Sequence, residues 1–332
     1  MRARSLHPRL LLIPATVAAA VVSVLAAQQA PPAQPNFDAV TVRSFKVQDR
    51  VFMLAGAGGN VTAQIGNDGV LVVDTQFAQM ADKLLAEIAR LSGNKPIRYV
   101  IDTHVHPDHV GGNERFRRAG RAIIAGNVAG DVSGNEGATV IAHETVAARM
   151  SKQDGTTPPA PGGAIPTDTF FGETDEVFFN GEAVQLIHQP AAHTDGDVMV
   201  FFRKSDVIAT GDVYVNTSYP VIDTARGGTI DGIIAGLNHI IEITVPRDKQ
   251  EGGTMVIPGH GRIADEADVV EYRDMVTIIR DRVRDMIKKG MTLQQIKAAG
   301  PTSDYDGRYG ATSGFWTTDN FVEAVYRTLG GK

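Results

Sequence analysis

Seven side chains with the donor atoms that bind metal ions are spread over the middle of this 332-residue chain. Three histidines and one aspartate lie within six residues, and two more histidines and an aspartate follow separately. The set is His104, His106, Asp108, His109, His193, Asp212 and His260. Imidazole and carboxylate groups bind zinc and other divalent cations, and a hydrolytic centre keeps a position open for water. The pattern predicts a two-metal hydrolytic site.

Each part of this set follows a segment with the composition of a buried strand. Such segments are residues 97–101, 184–189, 207–210 and 254–257. In an extended backbone, His104 and His106 would point to the same side. Pro107 ends that extension, so Asp108 and His109 turn toward a second point. One short segment can therefore serve two adjacent metal ions, while loops after later strands complete the site.

The other histidines carry no comparable pattern. His7 lies in the leader, and His143, His188 and His239 are predicted to be packed or surface residues. Ser205 and Ser218 lack the G-x-S-x-G context of a serine nucleophile. Metal-assisted hydrolysis is therefore favoured over nucleophilic catalysis by a side chain.

Two successive runs of strands and then helices predict two halves, each a sheet covered by helices. The pattern of buried residues predicts strands at 40–47, 51–54, 61–65, 70–73, 97–101, 123–124, 139–142, 176–180, 184–189, 198–202, 207–210 and 254–257. Helical spacing predicts helices at 79–91, after 111–113, at 229–243 with Thr229 as cap, at 264–289, after Thr292 and at 316–329. Loops are predicted at 126–137 and 151–166.

The first 27 residues are typical of a secretory signal peptide. Three arginines precede an apolar run, and small residues suited to cleavage follow. A retained membrane anchor is the alternative, because the run is near the length of a short span. Residues 28–36 are predicted to be a flexible linker, and 37–332 a single domain with a C-terminal helical extension. The expected location is the periplasm or the medium.

The amino-acid composition limits the ligands and partners that the chain can have. The chain has no cysteine, which excludes disulfides and thiolate metal ligands. Its formal charge is −6, and a basic surface for nucleic acid is not indicated. We expect a small-molecule substrate, no nucleic-acid partner and no stable membrane insertion after cleavage. The apolar positions of the helix at 264–289 fit packing on the sheet, with a dimer interface as the alternative. The oligomeric state stays open.

The H-x-H-x-D-H motif and the later ligands resemble the metallo-β-lactamase fold superfamily of hydrolases, over roughly residues 40–290. This resemblance implies an α+β fold, a four-layer αβ/βα sandwich of two mixed β-sheets flanked by helices, with the site at one edge. It implies that one metal is bound by His104, His106 and His193, and the other by Asp108, His109 and His260. Asp212 would bridge the two, as in glyoxalase II-like members.

The resemblance also gives Asp74 a role. This residue follows the strand at 70–73 and matches an aspartate that orients a metal ligand from outside the coordination sphere. A turn cap is the alternative for Asp74, and also for Asp102, which could otherwise orient the histidine loop.

The implied reaction is attack by a hydroxide that bridges two zinc ions on an ester, thioester, lactone or amide-type bond. Asp108 would orient the water or move a proton besides binding metal. Iron or manganese could replace zinc. One alternative is a β-lactamase, although established groups place Cys or Ser-type residues where Asp212 stands. Another is an iron enzyme of sulfur or oxygen chemistry. Candidate specificity loops are 56–60, 126–137 and 216–228, the last with Tyr219 and Arg226 as candidate substrate contacts.

Overall fold

The computed structural model describes residues 35–123, 137–151, 160–250 and 252–331. These residues belong to one compact unit. The predicted signal peptide and residues 28–34 of the predicted linker lie outside the described residues, as do Ile124 and almost all of the predicted loop at 126–137.

The first sheet has seven strands that follow one another in chain order. They are β1 Arg43–Gln48, β2 Val51–Ala55, β3 Val61–Ile65, β4 Val70–Val73, β5 Ile97–Ile101, β6 Thr139–His143 and β7 Asp168–Phe170. β1 to β4 are antiparallel, and β4 to β7 are parallel. All four residues of β4 are buried, because this strand is covered on both faces.

The second sheet has five strands in the order β12-β11-β10-β9-β8. They are β8 Thr174–Phe179, β9 Glu182–Gln189, β10 Asp197–Phe202, β11 Val207–Ala209 and β12 Met255–Ile257. Only the β11–β12 pair is parallel. Both sheets are therefore mixed, as the resemblance implied.

Helices flank the two sheets. They are α1 Ala81–Ser92, α2 Pro107–Val110, α3 Asn113–Ala119, α4 Glu144–Ser151, α5 Ile230–Ile243, α6 Glu266–Lys288, α7 Leu293–Ala299, α8 Asp306–Tyr309 and α9 Thr318–Thr328. One apolar core lies between the sheets, one between the first sheet and α1, and the largest between the second sheet and α5, α6 and α9. The four-layer αβ/βα sandwich is confirmed.

Helix starts follow the capping rules. The Thr229 side chain accepts from the backbone N–H of Gly232, which confirms the predicted cap of α5. Asp265 and Thr292 form capping boxes at α6 and α7. The helix predicted at 264–289 is present as Glu266–Lys288, because Asp265 caps its start and Lys289 caps its end.

Two local predictions were wrong, and some elements were missed. The first strand begins at Arg43 and not at residue 40, since Phe37–Ala39 forms a short 3₁₀ helix that turns the chain. Ile123 lies in no strand. Strand β7 and helix α4 were not predicted at all. No helix in the described parts of the chain has both the length and the apolar character that a membrane span requires.

Candidate metal centre

Loops at one edge of the two sheets bring the seven predicted donors together. The segment after β5 carries His104 and His106 and then enters α2, in which Pro107 is the first residue. His193 lies between β9 and β10, and His260 follows β12. Asp212 lies in the 3₁₀ turn Gly211–Val213 after β11. The first sheet thus supplies four donors from one segment, and the second sheet supplies three from separate loops.

The first triad is His104, His106 and His193. One ring nitrogen from each of these histidines lies within 4.8 Å of the other two, so one cation could contact all three. His193 Nε2 is 2.8 Å from His106 Nδ1. The other nitrogens of these two rings are engaged elsewhere: His193 Nδ1 lies 2.7 Å from the carbonyl oxygen of Val221, and His106 Nε2 lies 2.9 Å from Asp223 Oδ2. These contacts fix which nitrogen of each ring faces the triad.

The second triad is Asp108, His109 and His260, whose donor atoms also lie within 4.8 Å of one another. His109 Nε2 is 3.3 Å from His260 Nε2, and His260 Nε2 is 3.3 Å from Asp108 Oδ2. The lack of a side chain at Gly59 makes room for the His109 ring. A Cβ on Gly59 would lie 2.2 Å from His109 Cε1, so only glycine fits there without displacing the ring.

Asp212 lies between the triads. Its Oδ2 is 3.7 Å from His193 Nε2, and its Oδ1 is 3.3 Å from His109 Nε2 and 3.6 Å from His260 Nε2. The two oxygens of one carboxylate therefore face different triads, which is the arrangement that a bridging ligand requires.

Two buried atoms of the centre lack the partners that buried polar atoms normally have. Within the described residues, His104 Nε2 and Asp212 Oδ1 have no hydrogen-bond partner, although His109 Nε2 lies near the latter. An unpaired buried polar group is costly, and a bound cation would satisfy both atoms. The donor set, three imidazoles on one side and mixed imidazole and carboxylate on the other, also fits a borderline divalent cation.

Asp74 contacts the second triad from behind. Its Oδ2 lies 2.7 Å from His109 Nδ1, and both of its oxygens accept hydrogen bonds from Thr103, one from the backbone N–H and one from the hydroxyl. Asp74 has a φ of +62°, in the left-handed region. A positive φ is uncommon in residues other than glycine, and here it accompanies the bonds that hold the carboxylate against His109.

Asp102 has a different environment. It is fully buried, and both of its oxygens accept from the Asn113 side-chain amide, at 3.0 and 2.8 Å. Burial raises the pKa of Asp102 well above its usual range, and the nearby Asp74 carboxylate adds to this. Asp102 thus joins β5 to α3, and in the described contacts it does not bond to a donor of either triad.

The protonation states of the first triad suit metal binding. Burial lowers the pKa of His104 well below its usual range, and burial also lowers that of His193 to about 4. Both rings are therefore neutral at pH 7, as a metal ligand must be.

In the second triad, the charges of neighbours oppose burial. Burial acts to lower the pKa of His109, but the carboxylates of Asp212 and Asp74 outweigh it and raise the pKa well above the usual range. Asp212 shows the reverse: burial acts to raise its pKa, and His260 and His109 lower it well below the usual range. This half of the centre thus attracts positive charge, whether protons or a cation.

Asp223 is a residue of the centre that the sequence did not indicate. Its Oδ2 accepts from His106 Nε2 and also from Arg226 at 2.7 Å, while its Oδ1 accepts from the Arg226 backbone N–H. Burial acts to raise the pKa of Asp223, but these donors lower it far below its usual value. The only sequence signal was an aspartate in the loop at 216–228.

The two candidate substrate contacts are placed differently. Tyr219 is 1% exposed, its ring stacks on Phe321, and its hydroxyl donates to Asp306 Oδ1 at 2.8 Å. The structure therefore gives Tyr219 a packing role, and the predicted substrate contact is not supported. Arg226 pairs with Asp223, next to His106, so its contact with a substrate stays a prediction.

Access to the centre is uneven. The side chains of His109 and His193 are almost completely buried, whereas His260 is 34% exposed and Asp108 is 26% exposed. A molecule arriving from solvent therefore reaches the second triad first.

We expect Asp223→Asn to lower metal affinity by about 10- to 100-fold, because an orienting partner of a ligand typically contributes that much. Asparagine keeps the shape but loses the charge that holds the His106 ring. Titration with a competing chelator measures the affinity. Asp195→Asn is the matched control, since Asp195 is on the neighbouring loop and pairs with Arg149. Equal affinities for Asp223→Asn and the unchanged protein would show that the contact does not orient His106.

Two mixed sheets with a cluster of histidine and aspartate side chains at one edge define the class of fold. The family model "Metallo-beta-lactamase superfamily" matches residues 55–261, more than half of the chain. The chain belongs to this superfamily.

Curated relatives include two kinds of enzyme. A linear primary-alkylsulfatase of Pseudomonas sp. is 24% identical over 260 residues, 69% of this chain and 47% of that protein. A metallo-beta-lactamase type 2 of Bacillus sp. is 22% identical over 210 residues, 63% of this chain and 68% of the relative. The chain thus spans about half the length of the alkylsulfatase that it matches.

Solved structures agree on the fold. The stereoselective inverting sec-alkylsulfatase Pisa1 from Pseudomonas sp. superposes with a TM-score of 0.59 at 17% identity, covering 87% of this chain and 50% of that one. A metallo-beta-lactamase from Pontibacter korlensis gives a TM-score of 0.54 at 15% identity, covering 71% of this chain and 99% of that one.

Proposed function

We propose that this protein is a hydrolase with a dinuclear zinc centre. The observation that carries the proposal is Asp212, whose two oxygens face two separate triads of donors. His104, His106 and His193 would hold one zinc ion. Asp108, His109 and His260 would hold the other, with Asp212 shared between them.

Bound zinc ions would supply a water nucleophile at neutral pH and stabilise the negative charge that develops on the attacked group. The protein positions the donors for this. Asp74 and Asp223 fix the rings of His109 and His106. Asp108 is the most exposed carboxylate of the centre and lies 3.3 Å from His260 Nε2. It can therefore orient an incoming water or substrate as well as bind metal.

The proposed substrate is a small molecule with an ester, thioester, lactone or amide-type bond. A sulfate ester is a second candidate, because alkylsulfatases appear among the relatives both by sequence and by structure. The lactam bond of a β-lactam is a third, from the lactamase relatives. All three reactions use an activated water and build negative charge on an oxygen atom of the substrate in the transition state.

We also propose export to the periplasm or the medium, on the basis of the basic and apolar leader at 1–27. A dilute cation outside the cytoplasm needs a tight site. Two triads with a shared carboxylate, and with neutral buried imidazoles at His104 and His193, would provide one.

The deciding experiment is metal analysis of the protein isolated from the periplasmic or secreted fraction, with its N-terminal sequence determined. The same preparation is assayed on a panel of lactam, lactone, thioester, carboxylic ester and alkyl sulfate substrates. We expect two zinc ions per chain, a start near residue 28, and hydrolysis of one class that stops after chelation. One iron ion without hydrolysis would contradict the proposal and favour sulfur or oxygen chemistry.

A further inference from the structure

A cleft of about 800 Å³ begins one residue beyond His260. One wall is the segment Gly261 to Ile263, and the other is the face of β1 and β2 that carries Phe45 and Met53. Met53 belongs to the core between the two sheets, whereas Phe45 directly across from it is 43% exposed. The second sheet ends at β12, so the edge of this face is left open.

The cleft is close to the accessible side of the metal centre. Gly56 lines it and opens the loop in which Gly58 and Gly59 lie against Asp108 and His109. The Asn60 side-chain amide ties this loop to the opposite wall, because it donates to the carbonyl oxygens of Pro258 and Gly261. The end of the cleft at Gly56 and Gly261, its inner end, is therefore the end nearest in the chain to the contacts of the exposed donors Asp108 and His260.

Charge and apolar surface are separated along the cleft. Arg43 pairs in register with Ala55, next to Gly56, and Phe45 pairs with Met53 two residues further from the centre. Two residues of strand span about 7 Å. The cation is therefore nearer the metal centre than the aromatic ring is.

Arg43 is the available cation. Arg262, the other arginine of the cleft, is engaged by both oxygens of Asp268. Across the described residues, Arg43 makes no ion pair or side-chain hydrogen bond, and the cleft lining contains no acidic side chain. An anionic group near the inner end of the cleft would meet Arg43 without competition.

We propose that the cleft holds the unbranched apolar chain of an anionic amphiphilic substrate. The chain lies against Phe45 and Ile263, the negative charge lies at Arg43, and the scissile bond reaches the centre past His260. This assignment rests on the proposed hydrolytic function, and it names the substrate class for that site. An apolar chain gains from this wall in proportion to the area that it buries.

The test is calorimetric binding of n-alkyl sulfonates of four, six, eight and ten carbons to the metal-loaded full chain, below their micelle concentrations. Their carbon–sulfur bond resists hydrolysis, so binding is read separately from turnover. We expect affinity to rise by about two- to fourfold per methylene. Phe45→Ser should flatten this dependence and weaken the ten-carbon ligand by about tenfold. Arg43→Gln should weaken every length by about fivefold with the slope unchanged.

Matched controls exist on the same molecule. Phe178 is 73% exposed on β8, at the edge of the other sheet, and Lys46 lies on the opposite face of β1 from Arg43. Phe178→Ser and Lys46→Gln should bind the series as the unchanged protein does. Thermal melting of each variant confirms that it is folded.

A flat dependence on chain length in the unchanged protein, or an equal slope in Phe45→Ser, would overturn the cleft assignment. Hydrolysis of a short ester such as p-nitrophenyl acetate, with and without chelator, is measured on the same samples. A chain-length dependence without metal-dependent hydrolysis would support the cleft and contradict the hydrolytic proposal. Metal-dependent hydrolysis without a chain-length dependence would support the hydrolytic proposal and contradict the cleft assignment.

Discussion

Asp212→Asn should reduce kcat/KM by at least about a thousandfold while the protein stays folded. Partners that merely orient a ligand contribute about 10- to 100-fold, and a carboxylate that serves both metals should contribute more. Asparagine has nearly the same volume, so packing of the 3₁₀ turn is kept. What is lost is the negative charge that lies within 3.7 Å of His193, His109 and His260.

The loss should also appear in the metal content. Without the shared carboxylate, we expect purified Asp212→Asn to retain less than two metal ions per chain by elemental analysis. Asp285→Asn is the control, since that carboxylate pairs with Lys289 on the exposed face of α6. Full metal content with activity within about threefold of the unchanged protein would exclude a shared role for Asp212.

Metal removal should lower the melting temperature by roughly 10 °C. A ligand present at about a thousand times its Kd stabilises the native state by about 4 kcal/mol, and each kcal/mol is worth about 2–4 °C in a chain approaching this size. Differential scanning calorimetry before and after dialysis against a chelator measures the shift. Zinc added back should restore it, and calcium should not, because imidazole-rich sites disfavour calcium.

The same site predicts a pH dependence of binding. The pKa values of His109 and His260 are raised, chiefly by Asp212 against the opposing effect of burial, so these rings hold protons that a cation must displace. Affinity should therefore fall as pH decreases, beginning above the usual histidine pKa near 6.5. Isothermal titration at pH 6, 7 and 8 in buffers of different ionisation enthalpy counts the protons released. A pH-independent affinity would contradict this assignment of charge.

The layers of the fold could be predicted because the sequence patterns are strong where the core is deep. All residues of β4 and β10 are buried, and their apolar runs, which in β10 follow Asp197, indicate it directly. Thr229 and Thr292 mark helix starts by their side-chain chemistry. By contrast, β7 has three residues of which two are exposed, and α4 buries only Val146 and Met150. Those elements are fixed by their neighbours and not by their own sequence.

Some residues of the candidate site could likewise be predicted from the sequence, and others could not. The donors could be predicted because four of them lie in one short motif and the rest follow clear strands. Asp223 could not, since its importance depends on contact with His106, 117 positions away in the chain. Tyr219 misled for a related reason: an aromatic residue in a polar loop gives no sign that distant helices bury it.

The two sheets contribute different donors to one centre, and this has a consequence for a chain that contains no cysteine. A cation shared by His106 and His193 would fasten positions 87 residues apart, and one shared by His109 and His260 would fasten positions 151 residues apart. Closing a loop of about 100 residues by a disulfide is worth roughly 4–5 kcal/mol in chain entropy. A metal ion bound at this centre would thus be a reversible cross-link between the halves of the protein, and it would depend on metal supply and not on the redox state of the surroundings.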